Sequence, residues 1–340
     1  MKYSRNKINN AGKTLISTSD STLYQSALNI INEWRELHLP ALDSLQKELM
    51  PIIGKEKVAF ISRRLKRMSS ITYKLDLNPN MGLGGMQDIG GLRIVVEDIE
   101  TLEQVQEILQ NNIPKSFILY KTDDYVINPK QSGYRALHFV YKYQSEDNLV
   151  DGALVELQVR TQLQHIWAMA VETAGLVTET PLKAGLGADN WLEFFKIVAS
   201  IFALKEHCPV LEEHRGAQMR DLALQLSKAE SMYKHIDMLK ALKVSIIKAK
   251  EKNYTDGYYI LNIDFKTRIV HISAYSKEKD REASHEYYSL EMNQDGNAVV
   301  MVSVPEMIEL QEAYPSYFLD TEKFISIMDR ILNWYNCKKQ

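Results

Sequence analysis

The residues with the most chemical promise lie between 51 and 172. Lys66, Ser70 and Lys74 are spaced i, i+4, i+8, which on a helix sets two ammonium groups and a hydroxyl along one stripe. Arg64 and Arg67 flank that stripe. Such a row can follow a chain of phosphates, and an arginine beside it can grip a phosphate or stack on a base. Segment 51–74 carries seven cations against Glu56 alone. Charge alone would also fit a solvated helix face, but such a face needs acidic partners, and there are almost none. Asp88, in MQDIGGLRIVV, stands just before an apolar strand beside Gly90 and Gly91. A carboxylate there suits magnesium shared between protein and phosphates, with a turn-capping aspartate as the plain alternative. In LVELQVR, alternation puts Glu156, Gln158 and Arg160 on one face and Val155, Leu157 and Val159 on the other. If the apolar face packs the core, the polar one lines a cleft or lies idle in solvent. In a cleft Glu156 can act as general base or second metal ligand. In GYRALHFV, Tyr134, Ala136 and His138 share a face, either a stacking ring beside a hydrogen-bonding group or ordinary core. There is no GxxxxGK[ST], no HExxH and no kinase HRD/DFG set, so a triphosphate, metal and base would be assembled by another route.

These groups need elements to hold them. Residues 1–20 read as a loose polar arm, and 22–48 as a helix interrupted near Pro40. A second helix is expected from about Glu56 to Leu75, followed by the glycine-rich loop NPNMGLGGMQDIGG, which must approach something with bare backbone. GLRIVVE, GYRALHFVYKY and LVELQVR read as strands, TLEQVQEILQ and Gln162 to about Gly175 as helices. The expected class is α+β, a mixed β-sheet flanked by helices. Residues 212–250 read as one long amphipathic helix with Met219, Leu222, Leu226, Tyr233, Ile236 and Leu239 near one face. YYILNIDF, RIVHISAY, HEYYSLEM and AVVMVSV read as strands, and two helices, about 305–313 and 321–335, follow. The expected division is a catalytic domain over 1–205, a helical connector over 206–250, and a small β-rich and helical regulatory domain over 251–340.

Composition narrows the classes. The 340 residues are 45% hydrophobic and 25% charged with net charge −3, which excludes general disorder and a wholly basic nucleic-acid coat but not a local basic site. No run of ~18 apolar residues occurs, so no membrane helix is expected. The N-terminal residues lack an apolar h-region, and Cys208 and Cys337 are the only cysteines. That excludes a disulfide framework or cysteine-rich zinc module and fits a cytoplasmic location.

Four blocks in order, RRLKRMSSITYK (63–74), QDIGGLRIVV (87–96), DYVINPKQSGYRALH (124–138) and VELQVRTQLQHIWAMAVE (155–172), resemble the RelA/SpoT alarmone synthetases. The resemblance covers about residues 22–200 and implies a nucleotidyltransferase-like synthetase fold that transfers pyrophosphate from ATP to a ribose 3′-hydroxyl. It implies that Arg64 and Arg93 flank the adenine, that Lys66, Ser70 and Lys74 hold the phosphates, and that Asp88 carries Mg²⁺. Glu156 would activate the 3′-hydroxyl and help with the metal. Tyr134 would stack on the acceptor base with Lys130 and His138 nearby, and Gln158, Arg160 and His165 would orient or support. Asp123 stands where long synthetases carry Lys, and Glu172-Thr173 where many small ones carry Glu-His. Both departures are expected on the acceptor side, and the ending QHIWAMAVETAGLV resembles toxic small synthetases, notably fused toxin–antitoxin proteins of the CapRel type. That implies modification of the 3′-CCA end of tRNA in anti-phage defence, a pseudo-zinc-finger antitoxin region, and a YxxY element, here Tyr314 and Tyr317, that covers the ATP pocket until a phage protein releases it. The bland alternative for the two tyrosines is a packed corner around Pro315. Lys2, Arg5, Lys7, Lys13, Arg63 and Arg67 are candidate phosphate contacts for tRNA. Synthesis of (p)ppGpp or an adenosine alarmone from a guanine or adenine nucleotide is the second reading, and an inactive partner-sensing module the third.

Overall fold

The computed structural model describes residues 2–178, 180, 182, 185–240, 246–249, 257–264, 267, 269–292, 298–304, 310–314 and 321–337. Three helices open the chain: α1 (Arg5–Ser17), α2 (Ser21–Glu36) and α3 (Leu39–Ile53). They are followed by β1 (Phe60–Leu65), α4 (Met68–Leu77), β2 (Gly90–Val96), α5 (Ile99–Asn111), β3 (Phe117–Asp124), β4 (Leu137–Tyr143) and β5 (Leu154–Thr161). Next come α6 (Gln162–Val177), α7 (Asp189–Lys205), α8 (Met219–Tyr233), α9 (His235–Lys240), β6 (Ile246–Ala249), β7 (Tyr258–Asp264) and β8 (Ile269–Tyr275). The remainder is α10 (Asp280–Met292), β9 (Ala298–Ser303), α11 (Leu310–Ala313) and α12 (Glu322–Cys337). The fold is α+β, as expected. No helix among the described residues is long and apolar enough to cross a membrane.

Among the described residues nine strands form one mixed sheet, in the order β3-β4-β5-β2-β1-β9-β7-β8-β6. The N-terminal and C-terminal strands meet where β1 pairs antiparallel with β9, Arg63 opposite Ser303 and Arg64 opposite Val302. Strands β2 and β5 run parallel, which their helical connections permit. On one face Leu92, Ile94, Val155, Leu157, Val159 and Phe139 pack against Leu42 and Leu45 of α3 and Leu102, Val105 and Leu109 of α5. Alternation then turns the even-numbered residues of β5 to the other face.

Local chemistry sets the helix starts. Asp20 caps α2 by accepting from the amides of Thr22 and Leu23, and Thr161 with Gln164 forms a capping box at α6. Pro40 sits in the first turn of α3, where a missing N–H costs nothing, so the expected interruption is a break between two helices.

Four expectations fail for physical reasons. The N-terminal arm is a docked helix, with Ile8, Ala11 and Leu15 of α1 buried against Ile71, Leu75 and Leu83. The expected helix over 56–75 is split, because Ile61 and Leu65 alternate into the core and make 60–65 a strand. The expected long helix over 212–250 breaks at Lys234, which takes a left-handed conformation at φ 56° between α8 and α9. HEYYSLEM is helical within α10, its Ala283, Tyr287 and Glu291 buried at a spacing of four.

Candidate active site

The polar face of the sheet is the floor of the site. Arg64 of β1 is opposite Gly91 of β2, which is in register with Glu156 of β5. In the neighbouring row Ser62, Arg93, Gln158, His138 and Asp123 stand side by side on β1, β2, β5, β4 and β3. In-register residues share a face, so five separated stretches of sequence deliver their polar groups to one surface. Gly91 keeps that floor low: a Cβ there would meet nothing nearer than the Arg64 carbonyl, at 3.9 Å. The other glycines of its loop, Gly82, Gly84, Gly85 and Gly90, serve packing instead. A Cβ on Gly82 would come within 2.5 Å of Asn9 Oδ1, so the bare backbone of this loop is there to accept α1.

Asp88 lies between two ammonium groups. Lys66 Nζ is 2.9 Å from its Oδ2 and Lys74 Nζ 3.0 Å from its Oδ1. The helical stripe through Lys66, Ser70 and Lys74 is not present as such. Ser70 and Lys74 are on α4, whereas Lys66 lies in the link before it, and the chain's turn between β1 and α4 brings both lysines to one carboxylate. Burial opposes ionisation of Asp88, but Lys66 and Lys74 outweigh it and hold the carboxyl well below the usual range. Burial also pulls Lys66 below the ordinary lysine value although Asp88 opposes it, and Lys74 and Arg64 add to the fall. One carboxylate therefore leaves positive charge unbalanced, which suits a polyanion.

Glu156 belongs to a closed ring of hydrogen bonds. Its Oε1 is 2.8 Å from His138 Nδ1, and its Oε2 accepts from Gln158 Nε2 at 2.6 Å. His138 Nε2 is 2.7 Å from the Tyr134 hydroxyl, and Arg160 Nη2 donates to that hydroxyl and to Gln158 Oε1, both at 2.7 Å. A carboxylate only accepts, so His138 donates from Nδ1 to Glu156, while its Nε2 shares a hydrogen bond with the Tyr134 hydroxyl. Burial raises the Glu156 carboxyl, but the bonds from His138 and Gln158 outweigh burial and the nearby Asp88 charge and leave it below the ordinary glutamate range. Glu156 is thus ionised at neutral pH and oriented by two donors, as a general base must be.

Tyr134 is 5% exposed, with Arg160 at 5.1 Å and Lys130 at 5.3 Å from its ring. A base stacking on it would have to displace a cation. Lys130 also lies 4.6 Å from the ring of Tyr125, a part-exposed aromatic group that sequence reading missed although it stands in the third block. His165 is buried edge-on against Phe60, within the packing under α6. Arg63, expected as a surface contact for tRNA, is buried instead: it pairs with Asp43 and donates to Ser303 Oγ at 3.0 Å. As part of a strand, it faces opposite to Arg64. Of the other basic candidates, Lys2 pairs with Glu33, Lys7 lies over Tyr3, Lys13 is exposed, and Arg67 immediately precedes α4. Arg5 lines an open cavity of about 570 Å³ with Asn78, Asn80 and Met81.

At the β1–β2 end, Arg93 is buried and donates to the Ala313 carbonyl at 3.2 Å, with the Tyr314 ring 5.5 Å from its guanidinium. Burial first, then Arg160, push Arg93 down to about 10. Tyr314 is 2% exposed and donates from its hydroxyl to the Arg63 carbonyl at 3.3 Å. Tyr317 lies outside the described residues. Glu172 stands 3.8 Å from Arg64, and Thr173, where many small synthetases carry His, is buried on α6 and donates from its hydroxyl to the Met169 carbonyl at 3.0 Å. Asp123 does lie beside His138, paired with Lys121 at 2.7 Å.

Among the described residues no group of three histidines, cysteines or acids could hold a metal unaided. Asp88 and Glu156 offer the hard oxygen that magnesium prefers beside substrate phosphates, each of their oxygens here accepting from a protein donor.

Residues 63–175 match the model of the region found in RelA / SpoT proteins. The chain carries a RelA/SpoT region. This region spans the second half of β1 through most of α6 and contains every residue of the polar floor described above except Ser62. The chain is 34% identical over 116 residues to the GTP pyrophosphokinase YjbM of Bacillus subtilis, covering 33% of this chain and 53% of that protein, about half its length. It is 26% identical over 155 residues to the GTP pyrophosphokinase YwaC of the same organism, covering 41% of this chain and 73% of that one. Among solved structures it is similar to small alarmone synthetase 1 from Bacillus subtilis bound to its product pppGpp, with TM-score 0.45 and 23% identity over 54% of this chain and 97% of that one.

Proposed function

We propose that this chain is an ATP-dependent pyrophosphokinase that acts on a ribose 3′-hydroxyl and is held silent by its own C-terminal region. The observation that carries the reading is the pair of lysines on Asp88 with ionised Glu156 on the same surface. Lys66, Ser70 and Lys74 bind the donor phosphates, and Arg64 and Arg93 take the adenine. Asp88 and Glu156 would hold magnesium, which when bound would neutralise charge on the phosphates. Glu156 takes the proton of the 3′-hydroxyl, whose oxygen forms a bond to the β-phosphorus of ATP. The bridge from the α-phosphorus to the β-phosphoryl group breaks, and AMP leaves. Positioning and charge neutralisation account for most of such a transfer. Tyr314 holds the silent state, since it occupies the guanidinium of Arg93.

The acceptor we infer is the 3′-CCA end of tRNA, in a CapRel-type toxin–antitoxin fusion that a phage protein releases from inhibition. Asp123, paired with Lys121 beside His138 where long synthetases carry Lys, and the ending QHIWAMAVETAGLV, similar to toxic small synthetases, support this reading. The second reading, alarmone synthesis on GDP or GTP, is favoured by the names of YjbM and YwaC. The test uses the Tyr314→Ala protein with γ-labelled ATP and magnesium, offering deacylated tRNA beside GDP, GTP and AMP. Label on tRNA that Glu156→Gln abolishes is expected. Label on a nucleotide alone transfers the conclusion to the second reading, and label on nothing removes the pyrophosphokinase.

A further inference from the structure

We propose that Glu291 of α10 is a positioning residue for the donor-binding segment, so that the C-terminal region forms part of the scaffold of the ATP site as well as its brake. The functional half of this rests on the pyrophosphokinase reading above. Helix α4 carries Ser70 and Lys74 and is entered through Lys66, so its start and direction fix all three donor-phosphate groups. A helix start leaves amide N–H groups that a capping side chain normally accepts. The residue at the cap of α4 is Arg67, which makes no such bond. The acceptor comes from 223 residues away: Met68 N–H donates to Glu291 Oε1 at 2.6 Å.

That carboxylate is fixed from several directions. Its Oε2 accepts from Arg35 Nη1 at 3.0 Å, and the Tyr287 hydroxyl donates to Oε1 at 2.9 Å. Arg35 Nη2 donates in turn to the Tyr287 oxygen at 2.9 Å. Arg35 is 0% exposed and lies against the rings of Tyr287 and Tyr288. An ion pair alone would be complete with Arg35 and Glu291, yet the shortest bond the carboxylate makes is to the α4 backbone. A negative group at a helix start is also favoured by the helix dipole. The same stretch of chain is held a second time by the C-terminal region, through the pairing of Arg63 and Arg64 with β9. Residues 63–68 are therefore set at both ends by C-terminal elements.

The test uses the full chain carrying Tyr314→Ala to open the site. Arg35→Met with Glu291→Gln removes both charges and keeps an amide oxygen for Met68 N–H. Arg35→Met with Glu291→Leu removes the oxygen too. Neither leaves a lone buried charge. In the Leu variant, amide exchange at Met68–Ile71 is expected to quicken by about tenfold with the rest of the sheet unchanged. Binding of a non-hydrolysable ATP analogue with magnesium is expected to weaken by about fivefold or more there, and by less than about twofold in the Gln variant. Parental exchange in the Leu variant overturns the cap, and parental analogue binding overturns the positioning role. Equal weakening in both variants also overturns it, since it would assign the effect to the charge pair. A parent that binds no analogue sinks the pyrophosphokinase reading, while amide exchange still decides the cap. Should the Leu variant not fold, Tyr287→Phe carries the same test, with a two- to threefold weakening expected and none overturning.

Discussion

Glu156 can serve as a base because of its neighbours more than its own type. Burial alone would raise its carboxyl and keep it protonated, and His138 and Gln158 reverse that. Removing His138 therefore allows burial to prevail. In His138→Ala the acid limb of the pH profile of kcat/KM is expected to move to higher pH, because the base is ionised only above a raised value. A profile unmoved from wild type would show that His138 does not govern the base. A second histidine makes a stability prediction of its own. His38 is buried, donates from Nδ1 to the Trp34 carbonyl, and is pushed down to about 4 by burial. The unfolded chain takes up this proton near pH 6.5 while the folded one does not. Stability attributable to His38 is whole above pH 6.5 and falls between there and about 4. Between pH 7 and pH 5 the loss is about 2 kcal/mol. Urea denaturation should show that much less pH dependence in His38→Leu than in wild type.

At the level of elements, alternation was the most readable signal. It placed Glu156, Gln158 and Arg160 opposite a buried apolar row, and the structure gives that arrangement. The same signal in FISRRL was hidden by Arg63 and Arg64, whose adjacent charges make a strand with two differently used faces look like a solvated helix. In α10 it misled, because Tyr287, Tyr288 and Glu291 owe their places to contacts with α2 and α4 that no local pattern encodes. Lys234 breaks a helix without glycine or proline, and nothing in its neighbourhood of sequence announces it. The glycine loop was legible as a close approach, but its partner was not: it receives α1. Gly12 of α1 tests that docking. Helix propensity alone makes Gly→Ala favourable by about 1 kcal/mol. Here the new Cβ would lie 2.8 Å from Leu83 Cβ, a rigid part of its side chain. Overpacking of that kind costs about 1–3 kcal/mol, so Gly12→Ala is expected to destabilise on balance. Thermal denaturation at a single pH decides the sign, and a stabilised variant would mean that α1 is loosely held.

Across the whole molecule, the sheet joins regions that the sequence presents as separate, and pairing between β1 and β9 over some 240 residues has no local signature. That join carries Tyr314 to Arg93, and under the autoinhibited reading proposed above it would set the energetics of closure. A silent state favoured by ~3 kcal/mol leaves under about one percent of molecules open. Tyr314 is almost wholly buried, and truncating a buried aromatic side chain costs about 3–5 kcal/mol. Where that loss is confined to the closed state, Tyr314→Ala brings open and closed forms to comparable populations, a rise in initial rate of about fiftyfold or more. Tyr314→Phe keeps the ring against Arg93 and loses only the 3.3 Å bond to the Arg63 carbonyl, worth about 1 kcal/mol, so its rate should rise by less than about tenfold. Initial rates of label transfer from ATP separate the two variants. A Phe variant as active as the Ala variant would assign closure to the hydroxyl, and two variants as silent as wild type would place the brake elsewhere in the C-terminal region.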